Sequence, residues 1–169
     1  MQEVAPKVYR SDWDKTGTVI YPLKIMVAPE IFALEKSVTL SNGKTIPKGA
    51  KYFSWPDACK LIAEGYVYDG WRLPTMKEGK FLRNSYNKSR FGLLVLGLDG
   101  YITPNNMPVY NLDCAENLVY RRGELGYYWT SDSYNQLYPY VIMNSGYNIR
   151  PDGYAYLSYG LPMLLVKDN

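Results

Sequence analysis

The segment "DGWRLPTMKE", residues 69–78, decides the fold because it joins an extended run to the start of a helix. Trp71 and Leu73 alternate with Arg72, as expected of a short strand that buries one face. Pro74 favours the extended conformation that precedes a helix. The segment is therefore predicted to be a structural joint rather than a catalytic loop.

The residues after the proline predict how the helix begins. Thr75 and Glu78 have the spacing of a capping box, in which the Thr hydroxyl accepts the Glu78 N–H and the Glu carboxylate accepts the Thr75 N–H. We predict a short helix over about 76–86. Arg72 is predicted to form a structural ion pair with Glu78 or Asp69.

Two further elements are predicted upstream of the joint. The Asn-Gly pair in "SVTLSNGKTIPKG" is typical of a two-residue hairpin turn with positive φ angles, which predicts a hairpin at about 37–47. The segment "SWPDACKLIAEG" predicts a helix with Ser54 as the N-cap, Asp57 three residues later and Gly65 at the end. The apolar face of this helix consists of Trp55, Ala58, Leu61 and Ile62.

The length of 169 residues suffices for one domain with a sizeable core. Residues 1–36 contain β-prone pieces separated by prolines, which predicts an N-terminal arm or an edge strand pair before the main domain at 37–169. From residue 127 onward the pattern is nearly all strand and loop. The run "LPMLLV", residues 161–166, is apolar on both faces, which predicts a central buried strand.

The composition excludes several classes of function. The chain has no His, which removes the commonest general base and metal ligand, together with Ser-His-Asp and Cys-His nucleophile pairs. The net charge of +3 is dispersed, so no phosphate-binding stripe for nucleic acid is predicted. Cys59 and Cys114 are predicted to be free thiols, with one bridge between them as the alternative. No apolar run is long enough to insert into a membrane.

The "GWRLPT" segment followed by Glu78 and Leu82 resembles the "GWRLPT-x-x-E" signature of bacterial domains with the C-type-lectin fold, including the Fibrobacter major paralogous domain and the Lcl domain. The similarity extends over about 37–169, where "GYYWTSDSYN" and "YGLPMLLVKD" match the family's "YWSS" strand and closing strand. The resemblance implies an α+β, C-type-lectin-like fold with two short helices, a twisted, mostly antiparallel sheet and long loops. The residues that match its structural motif are Trp71, Arg72, Pro74, Thr75, Glu78 and Trp129.

The resemblance also bears on catalysis and metal binding. Formylglycine-generating enzymes share a similar "WRLPT" segment, but their catalytic cysteines lie late in the chain, and this chain has no Cys after Cys114. The "EPN" and "WND" triplets of Ca²⁺-dependent sugar-binding lectins are absent. Oxygen ligands at 103–106, with Asp99, Asp113 and Glu116, are the alternative Ca²⁺ site. We therefore assign no catalytic residue, no metal and no cofactor, and expect no enzymatic activity.

The C-terminal part is rich in Tyr: residues 127–159 contain nine of the 18 tyrosines, with several Ser and Asn. Tyr provides rigid contact area with a polar tip, and Ser and Asn provide adaptable hydrogen bonds, which is the mixture used by binding loops. Alternation predicts outward Tyr rows that either bind a ligand or are half-buried framework, whereas Tyr128 and Trp129 are predicted to be core. The predicted ligand-binding residues are Tyr134, Tyr138, Tyr140, Asn144, Tyr147, Asn148, Tyr154, Tyr156 and Ser158.

The same fold carries the receptor-binding tips of some bacteriophages and the variable proteins of diversity-generating retroelements. The resemblance therefore implies a phage virion protein for receptor binding and host adhesion, which recognises a bacterial surface protein or glycan through the Tyr rows. Residues 1–36 would anchor or oligomerise the chain, with a homotrimer favoured. The absence of a signal peptide favours the virion, and the bacterial cell surface is the alternative if a leader was removed. The rival function is a virion decoration, baseplate or capsid subunit whose Tyr rows contact other virion proteins.

Overall fold

The structure, a computed structural model, describes residues 13–20, 24–80, 99–103, 119–145 and 149–168. Short helices and mostly antiparallel strands make an α+β fold. The helical segments are α1 (Trp13–Thr16), α2 (Trp55–Ala63) and α3, which is helical at residues 76–80. The strands are β1 (Thr18–Ile20), β2 (Ile25–Val27), β3 (Val38–Thr39), β4 (Thr45–Ile46), β5 (Trp71–Arg72), β6 (Tyr101–Ile102), β7 (Val119–Tyr120), β8 (Gly126–Ser133), β9 (Pro139–Asn144), β10 (Ile149–Tyr154) and β11 (Val166–Asp168).

One sheet joins the two ends of the described chain in the order β1-β2-β11-β5. Strand β11 lies between β2 and β5, with Val166 opposite Val27 on one side and Arg72 on the other. The prediction for "LPMLLV" is confirmed for burial, since residues 161–166 are all buried. It is wrong for the strand, which begins only at Val166.

The physical reason is that the backbone of this run bonds to several different neighbours instead of one partner strand. The Met163 carbonyl accepts the Phe32 N–H at 3.0 Å, and the Leu165 carbonyl accepts the Ala28 N–H at 3.0 Å. Leu161 forms an isolated bridge with Phe53. The apolar run is therefore a hub of the core that becomes a regular strand only at its end.

Several described residues of the predicted arm, 1–36, contribute to this same core. Strands β1 and β2 form the predicted strand pair, with β1 at the sheet edge. Trp13, Val27 and Phe32 are buried in one hydrophobic cluster with Trp71 and Trp129. The cluster therefore continues across residue 36, and the role of residues 1–36 in anchoring or oligomerisation stays a prediction.

The predicted hairpin and helix are confirmed, with one change in the turn. Strands β3 and β4 pair, and the Leu40 N–H donates to the Lys44 carbonyl at 2.8 Å around a three-residue loop rather than a two-residue one. Of this loop only Gly43 has a positive φ, of 89°. This geometry is a turn closed by a left-handed Gly, the next commonest hairpin connection.

Helix α2 begins as predicted at Ser54, whose hydroxyl accepts the Asp57 N–H at 3.3 Å. Asp57 is itself buried and binds Lys44 of the hairpin, with Oδ2 and Nζ 2.6 Å apart. At the other end of the helix the Ser41 hydroxyl donates to Glu64 at 2.7 Å. The hairpin is thus held against α2 by a polar contact at each end of the helix.

A second sheet has the order β10-β9-β8 and carries the C-terminal tyrosines. Tyr128, Trp129 and Val141 of this sheet have no exposed surface, so the prediction that Tyr128 and Trp129 are core is confirmed. The Trp129 indole N–H donates to the Phe53 carbonyl at 2.7 Å. The indole of Trp55 in α2 donates to the Thr130 carbonyl at 2.8 Å. Two tryptophans therefore fix this sheet against α2 and against Phe53, which lies just before that helix.

Candidate functional site

The polar groups of the "GWRLPT" joint form hydrogen bonds and ion pairs with other groups of the protein. The predicted capping box is present: the Glu78 N–H donates to Thr75 Oγ1 at 3.0 Å, and the Thr75 N–H donates to Glu78 Oε1 at 2.9 Å. Arg72 binds Glu78 through two parallel bonds of 2.8 Å, which confirms the predicted ion pair with Glu78. It also donates to Asp168 of β11 at 2.7 Å, a contact that the sequence did not reveal.

The electrostatics of the joint favour a structural role. Burial raises the pKa of the Glu78 carboxyl, but the hydrogen bonds from Arg72 and the Thr75 N–H outweigh it, so the pKa lies below its usual value. Bonding to Glu78, opposed by burial and assisted by Asp168, raises the pKa of the Arg72 guanidinium. Both groups are held charged and paired, so neither is available for acid–base chemistry.

The C-terminal tyrosines form a continuous set of ring contacts, called here the tyrosine face. Tyr134 stacks on Tyr154 with centroids 5.2 Å apart and 12° between planes, and it contacts Tyr140 at 6.1 Å. Tyr138 contacts Tyr154 at 5.6 Å and Tyr156 at 5.7 Å, both edge to face. The tyrosine face consists of Tyr134, Tyr138, Tyr140, Tyr154 and Tyr156.

Strand pairing and a local turn place these rings together. Tyr140 of β9 lies directly opposite Tyr154 of β10 in the antiparallel register, and such opposed side chains are neighbours on one face of a sheet. The β8–β9 connection is closed by the Tyr134 N–H, which donates to the Tyr138 carbonyl at 2.8 Å. The Asn135 side chain accepts the Leu137 and Tyr138 N–H groups at 2.8 and 3.0 Å. The Asn thus shapes the turn that presents Tyr134 and Tyr138.

An open cleft of about 330 Å³ borders the tyrosine face. One wall is built from Tyr138, Tyr154 and Tyr156 of the face. The opposite wall is built from Tyr101, Tyr127 and Tyr159, where the Tyr101 ring contacts the other two rings with centroids 5.3 and 5.6 Å apart. Ala155 and Leu161 complete the lining, so the cleft, called here the tyrosine cleft, has no charged side chain among its described lining residues.

The opposite wall was not predicted. Tyr127 and Tyr159 lie within the Tyr-rich segment and were open to prediction from composition, whereas Tyr101 carries no signal of its own. It is placed by backbone bonds: the Gly160 N–H donates to the Ile102 carbonyl at 2.7 Å, and the Gly100 N–H donates to the Leu125 carbonyl at 2.8 Å. These long-range contacts bring β6 beside the C-terminal segment.

The hydroxyl groups of the cleft differ from those of the core. Within the described ranges, the hydroxyls of Tyr138, Tyr154 and Tyr156 make no hydrogen bond to another protein group. In contrast, the Tyr52 hydroxyl donates to the Asp99 carbonyl at 2.8 Å, and that of Tyr128 donates to Asp99 Oδ2 at 2.7 Å. The cleft therefore presents hydrogen-bonding groups that the protein itself does not use.

The remaining predicted ligand-binding residues are placed differently. Asn144 is only 2% exposed, because it ends the central strand β9 between Gly126 of β8 and Ile149 of β10. This burial leaves little of its side chain open to a ligand, and its role in ligand binding stays a prediction. Ser158 is half-buried in a turn. Tyr147 and Asn148 lie outside the described residues.

The alternative Ca²⁺ site is described only in part. Asp99 uses its carboxylate for the Tyr128 hydroxyl, while residues 104–118, with Asp113 and Glu116, lie outside the described ranges. In the part of the chain that the structure covers, no group of three or more Cys, Asp or Glu side chains could hold a metal ion. Cys59 is a free, half-buried thiol whose pKa is raised by burial. Cys114 lies outside the described residues.

Comparison with known proteins adds no assignment. No protein-family model matches the chain, and no curated protein matches it. None of the described helices has the length and apolar character needed to cross a bilayer. The residues themselves therefore carry the functional argument.

Proposed function

We propose that the chain is a non-enzymatic ligand-binding module with a C-type-lectin-like fold, and that the tyrosine face with its cleft is the binding site. The observation that carries this proposal is the location of the exposed apolar surface. Among the described residues, the large apolar side chains that are exposed are Tyr134 (60%), Leu137 (49%), Tyr154 (56%) and Tyr156 (37%). They all lie on or beside the tyrosine face, and grouped exposed apolar side chains are typical of binding sites.

The ring contacts support a binding role further. Each aromatic pair contributes about 0.5–1.5 kcal/mol beyond its buried area, so the rings hold one another in place while remaining accessible. A surface that is ordered before the ligand arrives loses less conformational entropy on binding. The short helices, antiparallel sheets and capped joint are compatible with a C-type-lectin-like fold.

The biological setting follows from the resemblance of the "GWRLPT" segment. We propose a phage virion protein, favoured as a homotrimer, that recognises a ligand on the bacterial surface through the tyrosine face. The fold by itself implies no function. The support for this setting is the presence of the "GWRLPT" joint together with an aromatic surface suited to recognition.

The test is binding of fluorescently labelled protein to a panel of bacterial cells. A variant with Tyr134→Ala, Tyr154→Ala and Tyr156→Ala removes the most exposed rings of the face. A matched variant with Lys48→Ala and Lys77→Ala changes exposed residues elsewhere. We expect cell binding by the parent and the Lys variant and at least tenfold weaker binding by the Tyr variant, with equal circular dichroism for all three.

Two results would contradict the proposal. Undiminished binding by the folded Tyr variant would remove the tyrosine face from recognition. Absence of binding by the parent to every strain of a broad panel would replace the receptor-binding function with the structural virion subunit, whose tyrosine face would then contact another protein of the particle.

A further inference from the structure

We propose that the tyrosine cleft binds a proline-rich peptide segment in the polyproline II conformation. This inference rests on the proposed function, because it names the ligand class of the same site. The observations that carry it are the uncharged lining of the cleft, the unused hydroxyl groups on its wall, and the spacing of the rings.

The lining limits the polar groups that a ligand can bring. Burial of a charged group costs several kcal/mol unless the group meets an opposite charge, several hydrogen bonds or, for a cation, aromatic ring faces. The described lining residues are Tyr, Ala and Leu, so they offer no opposite charge to an anion, and to a cation they offer only ring faces. They also offer no carboxylate, amide or guanidinium, the planar groups that bind two neighbouring hydroxyls of a sugar at once. An uncharged ligand with isolated polar groups on an apolar body fits best.

A polyproline II segment has this chemistry. Its backbone has no internal hydrogen bonds, so its carbonyl oxygens remain open to donors. The hydroxyls of Tyr138, Tyr154 and Tyr156 are such donors, because within the described chain they have no partner of their own. The apolar pyrrolidine rings can pack against the aromatic rings, and the segment is already extended before it binds, which lowers the entropic cost.

The ring spacing is close to the rise of two residues in this conformation, whose full turn takes three residues. Tyr138 contacts Tyr154 and Tyr156 with centroids 5.6 and 5.7 Å apart and planes inclined by 70° and 63°. The two inclined contacts leave steps along the wall rather than a flat surface. A polyproline II segment advances about 6 Å in two residues, so prolines two positions apart, which lie on adjacent edges of the three-sided helix, can pack at successive steps. The rings on the opposite wall, with Tyr101 at their centre, have similar spacings of 5.3 and 5.6 Å.

The first test is isothermal titration calorimetry of the 169-residue chain with an acetylated, amidated peptide of three Ala-Pro-Pro repeats. The control peptide has the same length, with Ala-Gly-Gly repeats. We expect at least tenfold tighter binding of the proline peptide. Equal binding of the two peptides, or no measurable binding of either, overturns the proposal.

Variants that remove a single hydroxyl oxygen test whether the peptide binds in the cleft. Tyr138→Phe and Tyr156→Phe keep the rings and remove hydroxyl donors, and together they should weaken binding of the proline peptide about threefold to tenfold. The matched control is Tyr66→Phe, which removes a hydroxyl outside both the tyrosine face and the cleft and should leave the affinity unchanged. Unchanged affinity in the double variant, or an equal loss in the control, overturns the assignment to the cleft.

A parallel titration with maltohexaose and chitohexaose separates this inference from the proposed function. If an oligosaccharide binds, the triple Tyr variant abolishes that binding, and the proline peptide does not bind, the inference is overturned while the tyrosine face remains the recognition site. If the proline peptide binds and the oligosaccharides do not, the inference is upheld. The cell-binding comparison tests the proposed function independently of both titrations.

Discussion

The core and the tyrosine face use the same residue type in opposite ways. Tyr52 and Tyr128 are almost completely buried, and each hydroxyl has a protein partner at Asp99. Tyr134 and Tyr154 are 60% and 56% exposed, and their rings stack on each other while their hydroxyls have no partner within the described chain. In the core tyrosines both the ring and the hydroxyl contact other protein groups, whereas in Tyr134 and Tyr154 only the ring does.

This difference is what would distinguish a framework tyrosine from a tyrosine of the proposed binding site. A buried hydroxyl without a partner costs about 1–3 kcal/mol, so core positions require one. A half-exposed hydroxyl is solvated and can exchange water for a ligand. The partner of the hydroxyl, more than the density of tyrosines in the sequence, therefore separates the two roles.

The largest expected effect comes from removing a core ring. Tyr128→Ala should lower the free energy of unfolding by about 3–5 kcal/mol, because it deletes a fully buried aromatic side chain and leaves a cavity. Tyr154→Ala should lower it by about 1 kcal/mol or less, since more than half of this side chain is already in water. Urea unfolding followed by circular dichroism measures both. Equal losses of unfolding free energy in the two variants would contradict the difference between core and face tyrosines.

The next effect isolates the hydroxyl. Tyr128→Phe should cost about 1.5–3 kcal/mol, because it removes a hydrogen bond to the Asp99 carboxylate. Tyr138→Phe should cost about zero, since its hydroxyl makes no bond to a described protein group. The same urea titrations apply, and a cost above about 1 kcal/mol for Tyr138→Phe would place that residue in the framework.

The joint and the upstream elements were predictable because their signals are local. The capping box of Thr75 and Glu78 and the N-cap at Ser54 depend on residues three positions apart. Alternation in the joint likewise placed Trp71 and Leu73 in the core. The hairpin was predicted but its loop length was not, because an Asn-Gly pair fits both a two-residue turn and a three-residue loop closed by Gly.

The cleft was only half predictable because its geometry depends on distant pairing. The ladders on both sides of β9 shift register, between Trp129 and Ser133 and between Arg150 and Gly153. Such irregularities change the direction in which side chains point. The alternation of apolar and polar residues in the sequence does not reveal them. Tyr101 reaches the cleft because its chain neighbours Gly100 and Ile102 form backbone bonds with Leu125 and Gly160. No local pattern reports these contacts.

A smaller effect extends the comparison to the polar groups of the joint. Glu78→Gln should cost about 1 kcal/mol at neutral pH, because it weakens the cap and the Arg72 pair. The folded-state pKa of Glu78 is lowered from 4.5, so its contribution is present above pH 4.5 and is lost as the pH falls through the folded pKa. The difference between parent and variant should therefore vanish in acid.

The control for this prediction is Glu124→Gln, which changes an exposed ion pair with Arg121 and should cost about 0.5 kcal/mol or less. Urea unfolding from neutral pH down to pH 2 measures both variants. A difference for Glu78→Gln that stays constant with pH would mean that the carboxylate charge contributes nothing to the joint.

The last prediction concerns the ionisation of a core tyrosine, which has no effect on stability at neutral pH and appears only in strong base. Burial, followed by the negative charge of Asp99, raises the pKa of Tyr52 from 10.0 to about 12. The folded state therefore keeps a proton that the unfolded chain releases above pH 10, and stability should fall as the pH rises from about 10 to about 12. Tyr52→Phe cannot ionise, so its stability should fall less steeply over this range. Urea unfolding at pH 9 to 12 measures the two slopes, and equal slopes would show that the Tyr52 hydroxyl is as free to ionise in the fold as in the unfolded chain.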